Sequence, residues 1–357
     1  MLLYIHIPFC ASKCGYCAFN SVIDSKDLYP MYIQALCEDI RISLERYLSH
    51  GKLQSVFIGG GTPNILPAHY YDDIFASFWA YTSKDCEISI ESNVNLITTA
   101  WCNTLYNLGA NRISVGVQSF NPKKLAFLER DHSIKDIAGA FESIQKSGFN
   151  NINCDMIYDT PLDSHSSLKQ EFENLKNLPL THISAYSLSI DADSRFEGRE
   201  YMLPKESLSY EVREILDHLG FSQYEVSNYA KNSAYCRHNV GYWELKEYIG
   251  CGAGAFGRVG NTRTMAHKNI KHYIANPHYR VEERLSDADL NLEAIMLGLR
   301  CKSGVVYELL KSHHNLALLL DSHKIHKVSR TNMQGKQCEY IIADDMLLAD
   351  ELAMWLS

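Results

Sequence analysis

Short apolar segments rich in β-forming residues alternate with longer segments of helical period from the N-terminus to about residue 190. The pattern predicts strands at residues 2–7, 53–58, 86–91, 112–118, 151–158 and 181–188. Between them it predicts helices at residues 27–49, 67–81, 98–109, 133–147 and 164–177. Six alternating units are typical of parallel βα repeats, so the sequence predicts an α/β fold built on an open or partial barrel.

The alternation fades after about residue 195. A helix is predicted near 206–219, and a Tyr-, Asn- and Gly-rich segment follows at 224–261. From about residue 285, a helical run at 290–299 and further short elements indicate a small separate α/β module. We therefore expect three regions: a core at 1–200, a barrel-completing segment at 201–284 and a C-terminal domain at 285–357.

Composition excludes several classes of protein. With 46% hydrophobic and 21% charged residues, the 357-residue chain can bury a large core. The net charge of −8 argues against a nucleic-acid partner, because phosphate binding needs clustered Lys and Arg. No run reaches the roughly 18 apolar residues of a membrane span, and the first eight residues lack the basic start of a signal peptide. We expect no integral membrane segment and a cytoplasmic protein.

Cysteine usage agrees with a reducing compartment. The chain has 11 cysteines, an odd number, and most are scattered without the spacing of a disulfide framework. Three of them, Cys10, Cys14 and Cys17, form a Cys-x3-Cys-x2-Cys run directly after the first predicted strand. Chance would produce such a triple about one time in a hundred.

The cysteine run limits the possible chemistry. Three thiolates on one tight loop can hold three irons of a [4Fe–4S] cluster and leave the fourth iron open to another ligand. Zinc is the alternative, because His6 lies four residues before Cys10 and would complete a Cys3His site.

Further polar and glycine residues stand at the predicted strand ends. The carboxyl ends of parallel strands meet at one edge, so these groups should converge on the cysteine loop. A glycine-rich turn allows a close approach of backbone N–H groups to a ligand, although such a turn alone is equally often only a tight turn. The residues concerned are Gly59 to Pro63 after the second strand, Glu91 after the third, Gln118 after the fourth and Asp155 on the fifth.

Together these motifs resemble the radical S-adenosylmethionine (SAM) superfamily, and within it the HemN/HemW family. The resemblance covers essentially the whole chain and implies a partial (β/α)6 radical SAM barrel with a small, winged-helix-like C-terminal α/β domain. The similar segments are residues 4–10, Tyr16, residues 59–63, 89–91 and 114–119, Arg130 and residues 155–158.

The resemblance implies that SAM chelates the open iron and that an electron from the cluster cleaves the cofactor. Arg130 would pair with the methionyl carboxylate, while Glu91, Gln118 or Asp155 would accept from amine or ribose groups. Taken singly, each of these residues is better explained as an ordinary strand-end polar group. The implied SAM-site residues are Tyr4, Gly60, Gly61, Thr62, Glu91, Gln118, Arg130 and Asp155.

Two features separate the members of this family. Its oxygen-independent coproporphyrinogen dehydrogenases carry a fourth cysteine two residues after the third and have a longer N-terminal segment. Here Phe19 occupies that position, and only three residues precede Tyr4. The resemblance therefore favours the heme chaperones of the family, which bind heme and deliver it to an acceptor protein. The acceptor is unidentified, a respiratory protein being one candidate, and the alternative is a radical SAM oxidoreductase acting on a tetrapyrrole.

A second motif, His-Asn-x-x-Tyr-Trp, lies at residues 238–243. Resemblance makes His238 the candidate heme contact, since imidazole ligates heme iron and aromatic rings can border a porphyrin. Packing in the protein interior is the alternative for His238, and Cys236 is a second possible ligand. Three arginines, Arg237, Arg258 and Arg263, are candidates for the heme propionates, with solvated surface positions as the alternative.

Overall fold

The computed structural model describes residues 1–23, 25–48, 51–331 and 337–357. The strands are β1 (Leu2–Ile7), β2 (Phe9–Cys10), β3 (Val22–Ile23), β4 (Leu53–Gly60), β5 (Thr82–Asn93), β6 (Arg112–Gln118), β7 (Asn151–Tyr158), β8 (His182–Ser187), β9 (Ser222–Gln223), β10 (Asn228–Ala230), β11 (Tyr248–Cys251), β12 (Phe256–Val259), β13 (Thr262–Ala266), β14 (Arg280–Arg284), β15 (Val305–Val306), β16 (Ile325–Thr331) and β17 (Gln337–Ala343). The helices are α1 (Tyr29–Tyr47), α2 (Tyr70–Phe78), α3 (Thr99–Leu108), α4 (Pro122–Phe127), α5 (Ile134–Lys146), α6 (His165–Phe172), α7 (Ser209–His218), α8 (Arg237–Trp243), α9 (Ile270–Ala275), α10 (Asp287–Gly298), α11 (Tyr307–Leu310), α12 (Leu316–Asp321) and α13 (Ala349–Leu356).

Six parallel strands, β1, β4, β5, β6, β7 and β8, lie side by side in sequence order and form the partial barrel. This arrangement confirms the predicted α/β fold. Each strand turns alternate side chains toward the outer helices and toward the barrel interior. On β6, Ile113, Val115 and Val117 belong to the hydrophobic core, whereas Arg112 and Ser114 are buried polar residues of the other face.

Local signals account for several helix boundaries. Gly109 ends α3 in the left-handed conformation, with φ of 109°. The helix predicted at 27–49 is α1, and residue 49 lies outside the described residues. The sequence pattern missed the short α4, which begins where the Asn121 side chain accepts from the backbone N–H of Lys123.

The sheet continues beyond both ends of the barrel. β10 and β9 add antiparallel strands next to β8. On the other side, β11 pairs in parallel with β1, and β12 to β14 follow as an antiparallel extension. The result is an open twelve-stranded sheet. The sequence did not predict these added strands, because they are short and lack a clear alternation.

The C-terminal residues form a second, smaller core between α10 to α13 and the antiparallel sheet β15–β17–β16. Backbone hydrogen bonds join it to the barrel segment, from Val226 N to Arg300 O at 2.9 Å and from Lys302 N to Tyr224 O at 2.9 Å. The predicted boundaries at 200/201 and 284/285 stay a prediction. In the part of the chain that the structure describes, no helix combines the length and apolarity needed to cross a membrane.

Candidate functional site

The three cysteines lie on the loop that leaves β1 at the carboxyl end of the barrel. Cys10 is buried on β2, while Cys14 and Cys17 are partly buried. A turn closes where Cys17 N donates to Cys14 O at 3.2 Å. Burial raises the pKa of the Cys17 thiol, so the thiolate form needs a positive partner such as a metal.

The glycine turn after β4 packs directly against this loop. Gly61 N donates to Ile7 O and Thr62 N donates to Phe9 O, both at 2.8 Å. A Cβ on Gly61 would lie 2.8 Å from Cys10 Sγ, closer than two such atoms can approach. The Thr62 hydroxyl donates to the same sulfur at 3.6 Å. Glycine is therefore required here by the position of the first cysteine.

Glu91 lies beside the same turn. Its Oε2 accepts from Gly60 N at 3.0 Å. Burial and, as the second cause, the nearby Asp155 carboxylate together raise the pKa of Glu91 to about 7. A buried carboxyl group at a strand end whose pKa lies near 7 is suited to bind a cationic ligand.

Arg130 connects the cysteine loop with two strand ends. Its guanidinium donates to Cys14 Sγ at 3.3 Å, to Asn93 Oδ1 at 3.0 Å and to Gly116 O at 2.8 Å. Asn93 Nδ2 in turn donates to the Thr62 hydroxyl at 3.2 Å. Polar contacts thus run without a break from Cys14 through Arg130, Asn93 and Thr62 to Cys10, and the buried Arg130 Nε has no partner among the described residues.

Asn93 was not among the site residues predicted from the sequence. It stands two residues after Glu91 at the end of β5, so strand periodicity places both side chains on the same face. That spacing was the signal available in the sequence.

Asp155 lies on β7 in register with Gly116 of β6, which in turn is in register with Asn93 of β5. Its carboxylate accepts from Ser114 Oγ at 3.1 Å and from Asn153 Nδ2 at 2.6 Å. Burial raises the pKa of Asp155. The structure therefore brings Asp155 and Glu91 into one electrostatic environment.

Gln118 ends β6 with an unusual backbone. Its φ of 65° lies in the left-handed region that non-glycine residues rarely occupy. A Cβ on Gly116 would lie 2.9 Å from Gln118 Nε2, so the side chain folds back over the strand end toward Arg130. This places Gln118 next to the polar contacts that reach the cysteine loop.

Tyr4 and His6 lie on β1 directly below the cysteine loop. His6 Nε2 donates to Asn20 O at 2.8 Å, so its Nδ1 accepts from the Tyr4 hydroxyl at 2.9 Å. Both ring nitrogens are occupied, which removes the histidine of the Cys3His alternative. The described ranges contain no group of three His, Cys, Asp or Glu side chains placed to hold one metal ion.

The residues around the loop fit an iron–sulfur cluster better than a zinc ion. Among the described residues the loop offers three thiols and no fourth protein ligand. Gly61 lets the glycine turn pack directly against Cys10, and the unpartnered Arg130 Nε points to a missing anionic partner.

His238 occupies a different place, at the barrel floor on α8. It is 1% exposed, and its Nδ1 and Nε2 hydrogen-bond with Ser55 Oγ and the Tyr242 hydroxyl, both at 2.9 Å. Burial, reinforced by Arg112, lowers the pKa of His238 to about 3. Heme contact by His238 stays a prediction. In this structure both of its ring nitrogens form hydrogen bonds within the protein.

The start of α8 is anchored on the buried Glu87. Its carboxylate accepts from Cys236 Sγ at 3.6 Å and from the backbone N–H groups of Arg237 and His238 at 3.1 Å. A carboxylate at a helix N-terminus is favoured by the helix dipole. Burial raises the pKa of Cys236 to about 12, which keeps it a thiol at neutral pH. The His-Asn-x-x-Tyr-Trp motif on α8 thus closes the amino end of the barrel.

A cavity of about 960 Å³ has Tyr4 and His6 in its wall. Its walls come from the cysteine loop, from the extension β11 to β13 and from α10 of the C-terminal domain. Phe19, the residue that stands in place of a fourth cysteine, forms part of the wall. The cavity therefore connects the cysteine loop with the C-terminal domain.

Comparison with known proteins agrees with this geometry. A family model described as the Radical SAM superfamily matches residues 4–175. A protein named heme chaperone HemW from Lactococcus lactis is 33% identical over 85% of this chain and 83% of its own length. A protein of the same name from Bacillus subtilis is 32% identical over 85% of this chain and 84% of its own.

The fold has a solved counterpart. The structure of coproporphyrinogen III oxidase (HemN) from Escherichia coli, described as a radical SAM enzyme, superposes with a TM-score of 0.79 over 99% of this chain and 89% of that one, at 20% identity. This likeness concerns the fold alone. Sequence similarity over most of both chains decides the family: this chain belongs to the radical SAM superfamily and, within it, to the HemW family.

Proposed function

We propose that this protein is a heme chaperone that carries a [4Fe–4S] cluster and SAM, binds heme and delivers it to an acceptor protein. The observation that carries the proposal is similarity over more than four fifths of the chain to proteins named heme chaperones. Phe19 supports it, because an aromatic side chain exposed to the cavity stands where the related dehydrogenases have a cysteine.

In this proposal Cys10, Cys14 and Cys17 hold the cluster. The hydrogen bonds from Arg130 to Cys14 and from Thr62 to Cys10 stabilise negative charge on sulfur. Gly61 lets the turn pack against Cys10, where a Cβ would collide with the sulfur. One iron would be left without a protein ligand and open to SAM, and the reduced cluster would supply one electron to the bound SAM.

The SAM site is proposed at the strand ends around the cysteine loop. The Arg130 guanidinium, with its unpartnered Nε, attracts the methionyl carboxylate. Glu91 accepts from the methionyl amine, and the Gly60–Gly61 backbone permits a close approach of that amine. The remaining groups, Tyr4, Thr62, Gln118 and Asp155, provide the polar walls of the site.

The acceptor protein, with a respiratory protein as one candidate, and the cytoplasmic location belong to the same proposal. No nucleic acid is expected as a partner, since the net charge of −8 disfavours phosphate binding. The oxidoreductase alternative differs in one respect: it requires chemical turnover of a tetrapyrrole.

One experiment tests chaperone and oxidoreductase together. Anaerobically reconstituted protein is titrated with heme, and the same sample is incubated with coproporphyrinogen III, SAM and a reductant. We expect about one heme per chain and no decarboxylated product above the level of a Cys14→Ala control. Product above that control would support the oxidoreductase, and absence of heme binding would refute the chaperone.

A further inference from the structure

The cavity beside the cysteine loop has an uneven charge balance. Six Lys and Arg side chains line it, and four of them are already engaged within the protein. Lys246 pairs with Glu244, Arg263 with Glu283 and Glu293, and Arg300 with Asp350, while Arg258 donates to the carbonyls of Leu245 and Gly260.

Lys13 and Lys268 are the two remaining cations. Among the described residues, neither Nζ has an ion-pair partner closer than 4 Å. Two carboxylates line the cavity, and Glu293 is paired with Arg263. Asp193 is the one of the two that has no ion-pair partner among the described residues. The unpaired wall charges therefore sum to a positive value, which favours a ligand that brings anionic groups.

The two lysines lie on segments that are fastened to each other. Asn20, three residues after Cys17, donates through Nδ2 to the backbone carbonyls of Ala253 and Lys268, each at 3.0 Å. Lys13 belongs to the cysteine loop itself. Both cations therefore belong to the part of the cavity wall that the cysteine loop and the segment bonded to it form.

Exposed apolar side chains also belong to the cavity wall. Phe19 is 66% exposed, Phe256 47% and Met296 40%, and all three line the cavity. Exposed apolar groups that converge on one concave surface mark a ligand site, because each gains free energy when it is removed from water. Two aromatic faces suit a flat, conjugated ligand.

We propose that heme binds in this cavity, with its ring against Phe19 and Phe256 and its propionates paired with Lys13 and Lys268. The inference rests on the proposed chaperone function and adds the place and the contacts of the ligand. A cavity of about 960 Å³ whose wall has exposed apolar side chains and, among the described residues, two cations without an ion-pair partner matches a planar macrocycle that carries two carboxylates. His238 keeps its packing role in the barrel floor.

The test is an anaerobic heme titration of the reconstituted protein that compares charge-reversal pairs. Lys13→Glu/Lys268→Glu changes both cavity lysines. The matched control, Lys135→Glu/Lys324→Glu, makes the same charge change at exposed lysines outside the cavity wall. We expect heme affinity to fall about tenfold or more in the cavity pair and to change less than about twofold in the control. Equal affinities in the two pairs would overturn the proposal.

Two further measurements separate the possible causes. Iron and sulfide content shows whether Lys13→Glu disturbs the cluster loop, and Lys268→Glu alone tests the site without altering that loop. Heme dimethyl ester, which lacks the carboxylates, should bind wild type and the cavity pair alike; a persistent difference would contradict the lysine contacts. If the wild-type protein binds no heme, the chaperone function fails; if it binds heme and both pairs match it, only the cavity assignment fails.

Discussion

Arg130 Nη1 lies 3.3 Å from Cys14 Sγ, so a residue from the loop after α4 reaches the cysteine loop, 116 positions earlier in the chain. The other guanidinium nitrogen, Nη2, holds Asn93 and the Gly116 carbonyl. A planar guanidinium can make these contacts at once, whereas an ammonium group cannot reproduce their geometry. Arg130 therefore positions the loop as well as offering charge to a ligand.

Arg130→Lys should weaken SAM binding about tenfold and reduce the iron retained after reconstitution, because the bond to Cys14 is lost. Isothermal titration with SAM and iron analysis measure the two effects. Arg41→Lys, at an exposed position of α1, is the control and should behave as wild type. Unchanged SAM affinity in Arg130→Lys would contradict the proposed carboxylate contact.

Gly61→Ala should prevent normal assembly of the cluster loop. The new methyl group would lie 2.8 Å from Cys10 Sγ and 2.7 Å from Phe9 O, and forcing such overlap costs roughly 1–3 kcal/mol. Iron and sulfide per chain should fall well below the wild-type value. Gly139→Ala on α5 meets no atom within 4 Å and should leave iron content unchanged. Full cluster content in Gly61→Ala would show that the loop can shift without loss.

The raised pKa of Glu91 leads us to expect that the stability of the protein depends on pH. Its pKa is about 7 in the folded protein against an ordinary value of 4.5, so the folded state favours the protonated form. The contribution of Glu91 to stability is therefore fully present below about pH 4.5 and is lost as pH rises through 7. In protein without a reconstituted cluster, we compare the free energies of unfolding of Glu91→Gln and wild type. The difference in favour of Glu91→Gln should grow by roughly 1–2 kcal/mol between pH 5 and pH 7.5.

Glu45→Gln, at an exposed site on α1, is the control for this comparison and should show no such trend. A Glu91→Gln variant whose advantage stays constant with pH would rule out the raised pKa. Loss of SAM affinity in the same variant would agree with the proposed contact to the amine.

His238→Ala should lower the free energy of unfolding by about 2–4 kcal/mol. The change opens a cavity in the barrel floor and leaves Ser55 and Tyr242 without their buried hydrogen-bond partner. Chemical denaturation measures the loss. If heme binds in the cavity beside the cysteine loop, His238→Gln, which can replace part of the hydrogen bonding, should bind heme with the affinity of wild type. Strongly weakened heme binding in a folded His238→Gln variant would instead support direct contact between His238 and heme.

Much of the barrel was predictable because its information is local. The alternation of Ile113, Val115 and Val117 with polar residues identifies β6, and the glycine at 109 marks the end of α3. The short strands β9 to β14 were missed, since their pairing depends on the partner strand and not on their own pattern. The same limit concealed Asn93, which matters through its distant contacts with Arg130 and Thr62.

The sequence by itself determined the cysteine spacing, the order of βα units and the residues at the strand ends, because covalent neighbours and periodicity act over a few positions. Only the tertiary structure decided which polar groups are free. It paired Arg263 with Glu293, buried His238 between Ser55 and Tyr242, and placed Lys13 and Lys268 in a cavity wall. Hydrogen bonds and ion pairs form between residues that are distant in the chain, so the availability of a side chain for a ligand is a property of the folded protein.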